Sequence, residues 1–363
     1  MKKKKVIGIS IGDPSHLWFN GIHQNAHTLA KMLEHAGYEI ILISAKDQKG
    51  SPLYETISVK TLIREKIPLD MFLSVSSWLP TSVLDHLKEN FGTKIVSIQY
   101  GNYFETFQEA LFHNRKLAVV SPYEKDSYCD ELWISPHFKY TEPFLQTVYP
   151  SVDIKVCPYI WNEEALMARA SLGSGNPFFD EENNIRRVTI HEPNISYMKN
   201  CFIPLCIASR ARSHVSSLLD IVSVFNVDHL AENSDFIEMG KSLRLEDILT
   251  ANKRYSIPWM ATNKLLGTPI THQRNCELNY MPLEFFHLGF PVVHNCAPFK
   301  DAGYFYEGID VAEGALKLIE AVETHRSNLK EYNERSKEVI WRYHSDNPKN
   351  IQGYVKLIEE VLG

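Results

Sequence analysis

Short runs of β-branched and other apolar residues alternate along this chain with longer stretches whose apolar residues recur at helical spacing. Residues 5–11 have the composition of a buried strand, residues 25–33 have helical spacing that ends at Gly37, and residues 38–44 resemble the first run. Strands that are apolar throughout are typical of parallel sheets covered on both faces. This opening stretch therefore predicts a strand–helix–strand unit of an α/β fold.

The alternation continues through the first half of the chain and resumes after one interruption. It predicts strands at 70–74, 94–99, 131–135 and 154–159, and helices at 81–89, 138–148 and 165–169. Residues 171–184, SLGSGNPFFDEENN, have little periodicity and the composition of a linker. A strand at 187–190 and a helix at 201–210 begin a second series. The same alternation continues through segments at 218–225 and 245–250, with a strand near 236–239 between them. Helices are then predicted at 311–323, 329–343 and 351–362.

The most informative stretch is 270–295, ITHQRNCELNYMPLEFFHLGFPVVHN. Its first residues, 270–276, are polar, and residues 279–288 then have helical spacing. Asn279 is suited to cap that helix, and Gly289 is suited to end it. A polar loop that leads into a helix N-terminus is a ready anion site, because free N–H groups and the helix dipole both face the loop.

Glu277 and Glu284, followed by FFHLGFPVVHN, resemble the donor-binding motif of GT-B glycosyltransferases. The resemblance implies that this loop and helix N-terminus hold a nucleotide sugar, with Glu284 on the ribose hydroxyls. It also implies that the backbone from Glu277 to Tyr280 faces the diphosphate or the sugar. Six residues separate the two glutamates where seven are usual, which weakens the match at Glu277. The predicted donor residues of this stretch are His272, Asn275, Glu277, Asn279, Tyr280 and Glu284.

Four other segments, WFNGIHQN, IQYGNYF, HEPNISYMKN and THQRNCELNY, resemble a bacterial and phage family regarded as GT-B-like. This likeness covers most of the chain and implies no particular substrate. The implied fold is α/β, with two Rossmann-like βα domains facing a cleft and a C-terminal helix that crosses back to the first domain. The predicted boundaries are 1–165 for the acceptor-side domain, 166–185 for the linker, 186–345 for the nucleotide-sugar domain and 346–363 for the returning helix.

The segment HEPNISYMKN directly follows the strand predicted at 187–190. A lysine just ahead of a helix suits a diphosphate, because the cation and the helix N-terminus act on it together. Lys199 matches the position of a phosphate-contacting lysine or arginine in GT-B proteins. Glu192 and Asn194 are predicted to orient it or to reach the sugar. A solvated lysine at a helix start is the alternative.

The loop after the first strand carries the candidate catalytic bases Asp13, His16 and His23, because the corresponding GT-B loop faces the cleft. Neighbouring polar and glycine residues in two loops are predicted to line the acceptor side of the cleft: Asn20, Gly21, Tyr100, Gly101 and Asn102. A turn with packing tyrosines is the alternative at 100–103. The chain has no G-x-G-x-x-G, so the fingerprint of nicotinamide dinucleotide binding is absent.

Composition narrows the class of protein. The 363 residues are 44% hydrophobic and 23% charged, which is typical of a soluble protein, and no run of eighteen apolar residues is present. The six cysteines are scattered without a C-x-x-C pair, so reduced thiols in the cytoplasm are expected. The protein is accordingly predicted to be cytoplasmic, or peripheral at the inner face of the membrane. The formal charge of -6 weighs against nucleic acid as a general partner, although Arg210, Arg212 and 253–254 offer a local basic face.

No D-x-D motif and no Cys/His cluster is present, and His23 and His27 have the spacing of shared metal ligands but no nearby third ligand. We therefore expect no metal and no cofactor, with a nucleotide sugar, preferably of UDP type, as substrate. The predicted function is hexosyl or pentosyl transfer to a surface glycan or a lipid-linked sugar. Alternatives are a phage enzyme that glycosylates hydroxymethylated DNA bases, a non-catalytic sugar- or nucleotide-binding module, and a sugar-phosphate epimerase. The sequence implies no oligomeric state.

Overall fold

The computed structural model describes residues 4–12, 21–44, 53–75, 77–112 and 126–363. The chain forms two compact units. The first comprises Met1–Ala165 together with Tyr343–Gly363, and the second comprises Leu166–Arg342.

Parallel strands form the centre of the first unit. Within its described residues the strands are β1 Val6–Ile11, β2 Glu39–Ser44, β3 Thr56–Ser58, β4 Met71–Ser74, β5 Lys94–Gln99, β6 Glu131–Ile134 and β7 Asp153–Val156. The order across the sheet is β3–β2–β1–β4–β5–β6–β7, and every neighbouring pair is parallel. The accompanying α-helices are α1 Gly21–His35, α2 Val59–Arg64, α3 Thr81–Phe91, α4 Tyr103–Phe112 and α5 Glu142–Val148. The next helix, α6 Glu164–Ala170, begins in the last two residues of the segment Met1–Ala165 and continues into the second unit.

The last helix of the chain, Pro348–Leu362, also belongs to the first unit. Its residues Tyr354, Leu357 and Ile358 lie in the same buried cluster as Ile7 and Trp133. Burial of such an apolar face is the main stabilising contribution to a surface helix. The helix thus packs against the first unit, as the predicted fold class requires.

The second unit repeats the architecture. Its strands are β8 Arg187–Ile190, β9 Ile221–Val224, β10 Leu249–Ala251, β11 Thr268–Thr271, β12 Val293–His294 and β13 Tyr304–Phe305. Its α-helices are α7 Phe202–His214, α8 Ser234–Ser242, α9 Ile257–Thr262, α10 Tyr280–Leu288 and α11 Val311–Tyr343, with α12 being the C-terminal helix. The strands are parallel in the order β10–β9–β8–β11–β12–β13, so the strand order reverses between β8 and β11. Open α/β sheets place their ligands at such a reversal.

Three predicted elements are wrong, each for a local reason. The strand predicted near 236–239 lies inside α8, whose N-terminus is capped by the side chain of Asn233. The helices predicted at 311–323 and 329–343 form one helix, α11, because residues 324–328 contain neither glycine nor proline. Residues 270–276, predicted to be loop, begin within β11, whose four residues are all buried.

The segment predicted to be a linker packs within the second unit. Phe179 is buried against Phe290 and His325, with ring centroids 5.6 and 4.8 Å apart. Asp180 forms an ion pair with Lys264. One buried aromatic ring and one ion pair thus fix a stretch that composition alone assigns to solvent.

Candidate functional site

A buried carboxyl group lies where the strand order of the second unit reverses. Glu192, just after β8, is fully buried and accepts hydrogen bonds from the hydroxyl of Thr271, from the backbone N–H of His272 at 3.2 Å and from Nε2 of Gln273 at 3.1 Å. Burial raises the pKa of Glu192 to about 7, although these bonds and the positive charge of Lys199 act in the opposite direction. The carboxyl group thereby ties the ends of β8 and β11 together.

Lys199 supplies the cation of this region. It is half-buried, three residues before α7 begins. Burial opposes the charged form, but the hydrogen-bonded Cys276 and the neighbouring Glu192 outweigh it and raise the pKa of the ammonium group. The structure therefore brings Lys199 and Glu192 together, as the sequence predicts for residues that share one loop.

Asn194, predicted to orient Lys199 or to reach the sugar, contacts the backbone around its own loop. Its backbone adopts φ 56°, in the left-handed region that asparagine tolerates. Its Oδ1 accepts from the N–H of Cys201 at 2.8 Å, and its Nδ2 donates to the backbone oxygens of Glu192 at 2.6 Å and Phe225 at 3.1 Å. All three contacts are to backbone, so the side chain shapes the loop that carries Lys199.

The N-terminus of α10 is held by a set of side-chain amides. Asn279 caps the helix, since its Oδ1 accepts from Met281 N at 3.2 Å, and its Nδ2 donates to Oε1 of Gln273 at 3.1 Å. Gln273 and Asn295 exchange two backbone–amide hydrogen bonds of 2.8 Å each. Gln273 therefore links Glu192, Asn279 and Asn295, a role that sequence reasoning missed.

The first glutamate of the motif folds onto its own loop. Asn275 adopts φ 53°, and its N–H donates to Oε1 of Glu277 at 3.1 Å. The neighbouring His272 is buried, and its Nδ1 lies 2.9 Å from the hydroxyl of Tyr306. Burial, helped by the charge of Arg274, lowers the pKa of His272 to about 4, so the ring is neutral. Tyr280 is buried at the start of α10.

Glu284 stands one turn into α10, between the buried residues Leu283 and Phe285. Burial raises the pKa of its carboxyl group to about 8, so it is mostly protonated at neutral pH. Within the described part of the chain, it forms no hydrogen bond and no ion pair. A half-buried carboxyl group without partners is costly unless a ligand completes its hydrogen bonding.

A row of aromatic rings runs beside the carboxyl ends of β8, β9 and β10. His191 stacks on Phe225 with ring centroids 4.9 Å apart, and it also contacts Phe285 of α10 at 5.5 Å. Phe225 contacts Tyr255, and Tyr255 stacks on Trp259 at 4.9 Å. Burial lowers the pKa of His191 to about 3, so this ring is neutral too. The rings come from three strand ends and two helices, so no local sequence motif reveals the row.

The candidate residues of the first unit are described in part. Asp13, His16 and Asn20 lie outside the described residues. His23, in the first turn of α1, is buried, and its ring covers Gly12 so closely that a Cβ atom there would lie 2.8 Å from Cε1. Gly21 begins that helix. His23 is therefore held at the carboxyl end of β1, where its role as base stays a prediction.

The second loop of the first unit is only partly open. The hydroxyl of Tyr100 lies 2.7 Å from that of the buried Tyr354, so the ring packs in the core. Asn102 accepts from the N–H of Glu105 and donates to the hydroxyl of Tyr140 at 2.7 Å. It therefore caps α4, a helix that the sequence pattern did not indicate, while Gly101 is half-buried beside it.

The described residues also bear on the predictions about metal ions, nucleic acid and membranes. Among the described residues, no group of three or more His, Cys, Asp or Glu side chains is placed to hold a metal ion. In the predicted basic face, Arg212 is engaged with Asp247 through two hydrogen bonds of 2.6 Å. In the described chain no helix combines the length and apolar character needed to cross a membrane.

Several solved structures of glycosyltransferases have a fold similar to that of this chain. An α-glucosyltransferase in complex with UDP and DNA containing an HMU base is similar, with 12% identity, TM-score 0.64 and coverage of 99% of this chain and 100% of that one. A glycosyltransferase from Rickettsia africae (12% identity, TM-score 0.58, 99% of each chain) and the sucrose-phosphate synthase of Thermosynechococcus elongatus (13%, 0.56, 99% of each) are similar as well. The protein therefore has a GT-B-like fold, as predicted.

The chain belongs to the family described as Protein of unknown function (DUF2827), whose model matches residues 7–358. No curated protein matches the sequence. The chemistry of the site residues is therefore the main indication of function.

Loss of the Glu192 carboxylate is expected to destabilise the fold. In Glu192→Ala the donors on Thr271, His272 and Gln273 lose their acceptor, and each buried donor left unsatisfied costs about 1–3 kcal/mol. We expect the free energy of unfolding, measured by urea denaturation, to fall by about 3–5 kcal/mol. The matched control is Glu238→Ala, since that side chain is 71% exposed. A fall no larger than that of the control would show that Glu192 does not hold the two strand ends together.

Proposed function

We propose that this protein is a glycosyltransferase that takes a sugar from a UDP-type nucleotide sugar and transfers it to an acceptor hydroxyl without a metal ion. The observation that carries the proposal is Glu284, a half-buried carboxyl group with no partner among the described residues, in a helix that begins at the strand reversal. The two hydroxyls of a ribose are the donors that this group lacks. Similar folds with UDP bound support the choice of nucleotide.

The other groups of the proposed donor site come from the strand ends and helices of the same unit. The row of rings from His191 to Trp259 offers flat faces for a nucleobase, and its neutral histidine needs no counter-ion. Tyr255 and Trp259 are 42% and 36% exposed, which leaves ring surface for a ligand. Lys199 and the capped N-terminus of α10 offer positive charge for the diphosphate.

These groups also suit the chemistry of transfer. Negative charge grows on the diphosphate as the sugar leaves, and fixed cations and N–H donors stabilise it without a metal ion. In our proposal Lys199 has this role, while the Glu192 network holds its loop in place. Deprotonation of the acceptor hydroxyl requires a base, for which the sequence predicts Asp13, His16 or His23.

The acceptor we propose is a surface glycan or a lipid-linked sugar. The protein would then act at the cytoplasmic face of the membrane, as the sequence prediction holds. A second candidate acceptor is DNA that carries hydroxymethylated bases, because the α-glucosyltransferase with UDP and HMU-containing DNA is similar over almost the whole chain. The charge of -6 disfavours this acceptor, whereas the exposed Lys253 and Arg254 favour it.

The test of the proposal has a binding stage and a turnover stage. Thermal shifts with UDP, GDP, ADP, TDP and CMP identify the nucleotide, since a ligand at one hundred times its Kd adds about 2.7 kcal/mol of stability. Release of UDP from UDP-glucose, UDP-galactose and UDP-N-acetylglucosamine is then measured with lipid-linked sugars, glycans or hydroxymethyluracil DNA as acceptor. We expect UDP to stabilise the protein and one acceptor class to accelerate its release.

Three outcomes would contradict the proposal. Binding of a nucleotide sugar with no release of UDP on any acceptor would favour a non-catalytic binding module. No stabilisation by any nucleotide would remove the donor assignment. An epimerase would be recognised by conversion of the sugar nucleotide itself without transfer.

Binding of the donor is expected to depend on pH through Glu284. The free carboxyl group, with a pKa of about 8, holds a proton at neutral pH, whereas acceptance of two ribose hydrogen bonds favours the ionised form. Binding therefore releases a proton, so affinity for UDP-glucose rises by up to about tenfold per pH unit below the pKa and levels off above it. Calorimetry in buffers of different ionisation enthalpy measures the proton released. Glu284→Gln should remove this dependence, and an unchanged pH profile in that variant would refute the assignment.

A further inference from the structure

A second cation lies beside Lys199 and comes from another strand. Arg274 follows β11 by three residues, and its backbone N–H donates to the carbonyl of Met198 at 3.0 Å. Its guanidinium lies over the ring of Tyr197, 5.3 Å from the ring centroid. Arg274 is thus attached through backbone and side chain to the loop that carries Lys199.

The guanidinium of Arg274 has no acidic partner among the described residues. Other arginines of this unit do: Arg186 pairs with Asp220, and Arg212 pairs with Asp247. Two acids that contact this loop have other partners, since Glu277 accepts from Asn275 N and Glu192 accepts from Gln273. An exposed arginine that lies on an aromatic ring keeps its N–H groups for an anion.

The two cations stand on opposite sides of the strand reversal. Lys199 belongs to the loop after β8 and Arg274 to the loop after β11, and the Arg274–Met198 hydrogen bond holds these loops together. A nucleoside diphosphate carries negative charge on both phosphates, so one cation on each loop matches it. Arg274 also lies close enough to His272 to lower the pKa of that ring together with burial.

We infer that Arg274 binds the diphosphate of the donor together with Lys199, and that Tyr197 holds the guanidinium in place. This assignment rests on the proposed function. It makes Arg274 a substrate-binding residue that recognises the anionic part of the donor, and it makes Tyr197 a positioning residue that acts through Arg274.

The experiment compares UDP with uridine, which has the same base and ribose but no phosphate. Affinities of both ligands are measured by calorimetry for the wild type, Arg274→Ala and Arg274→Lys. Hydrogen bonds between charged groups imply a loss of about tenfold to a hundredfold in UDP affinity for Arg274→Ala. Uridine affinity should stay within about twofold, and Arg274→Lys should recover part of the loss because lysine keeps the charge without the bidentate geometry.

Tyr197 and a distant arginine provide the controls. Tyr197→Ala removes the ring under Arg274 and should weaken UDP more than uridine. Tyr197→Phe restores that ring and should recover the UDP affinity that the alanine variant loses. Arg335→Ala, on α11, removes an exposed charge away from the strand reversal and should affect neither ligand. Circular dichroism of each variant checks that the fold is retained.

The outcomes separate this inference from the proposed function. If wild type binds UDP and Arg274→Ala binds it equally well, Arg274 does not contact the diphosphate. If UDP and uridine weaken by the same factor, Arg274 acts only on loop structure, which also overturns the assignment. If wild type binds neither UDP nor any other nucleotide tested, the proposed function is wrong, and so is the inference that rests on it.

Discussion

Replacement of Glu284 by alanine is expected to abolish measurable UDP binding at micromolar ligand concentration. Two ribose hydroxyls would lose their acceptor, and each hydrogen bond to a charged group contributes about 1.5–3 kcal/mol, so affinity should fall by about a hundredfold or more. Calorimetry at pH 8.5, where most of the wild-type carboxyl groups are ionised, shows the effect at its largest. This variant tests the carboxyl group on which the donor assignment depends.

The stability of the same variant separates binding from folding. Glu284 has no partner among the described residues, so its loss removes no hydrogen bond or ion pair from the unliganded protein. We expect the free energy of unfolding to change by less than about 1 kcal/mol. Glu331→Ala, on the exposed face of α11, is the matched control for removal of a glutamate. Unchanged UDP binding in Glu284→Ala would place the ribose elsewhere.

Replacement of Lys199 by methionine is expected to slow sugar transfer by about a hundredfold to a thousandfold, the usual effect of removing one charge-stabilising donor from a transition state. Methionine keeps most of the side-chain length and removes the charge, so the packing around Cys276 and Glu192 changes little. The rate of UDP release at saturating UDP-sugar reports the effect in kcat. Donor affinity should fall less, because the charge on the leaving diphosphate is largest in the transition state.

Lys253 is the control for this experiment. It is an exposed lysine in the same unit, and Lys253→Met should leave kcat for a sugar acceptor within about twofold of wild type. A selective loss for DNA in this control would instead support DNA as the acceptor. If Lys199→Met retains full kcat, the leaving group is stabilised by other groups, and Arg274 becomes the first of these to examine.

Local pattern was sufficient for most of the secondary structure. Asn279 caps α10 and Gly289 ends it with φ 77°, as these two residue types predict, because capping depends on residues within one helical turn. Apolar spacing alone failed at 234–242 and at 311–343, where a helix cap and the lack of a helix breaker decided the outcome. Periodicity thus predicts elements well wherever one face is buried and short-range signals agree with it.

The sequence predicted which loops carry the candidate site, but not the contacts that their side chains make. Strand–loop–helix order places Glu192, Lys199 and Glu284 near the carboxyl ends of parallel strands, and a resemblance of motif gives each a role. The structure brings Lys199 and Glu192 together, and Glu284 has no partner in the part of the chain that it describes. It shows that the amide of Asn194 is occupied by backbone contacts, which no spacing rule reveals.

The amino-acid sequence alone was enough to determine the α/β class, the two series of strands and the position of the candidate donor loops, because these depend on short-range periodicity and chain order. Tertiary structure decided the rest. The partners of Glu192 lie about eighty residues away in the chain, the ring row joins residues of several elements, and Arg274 reaches the Lys199 loop from a neighbouring strand. Contacts over such separations arise only once parallel strands are brought side by side, and one sequence carries no local signal of them.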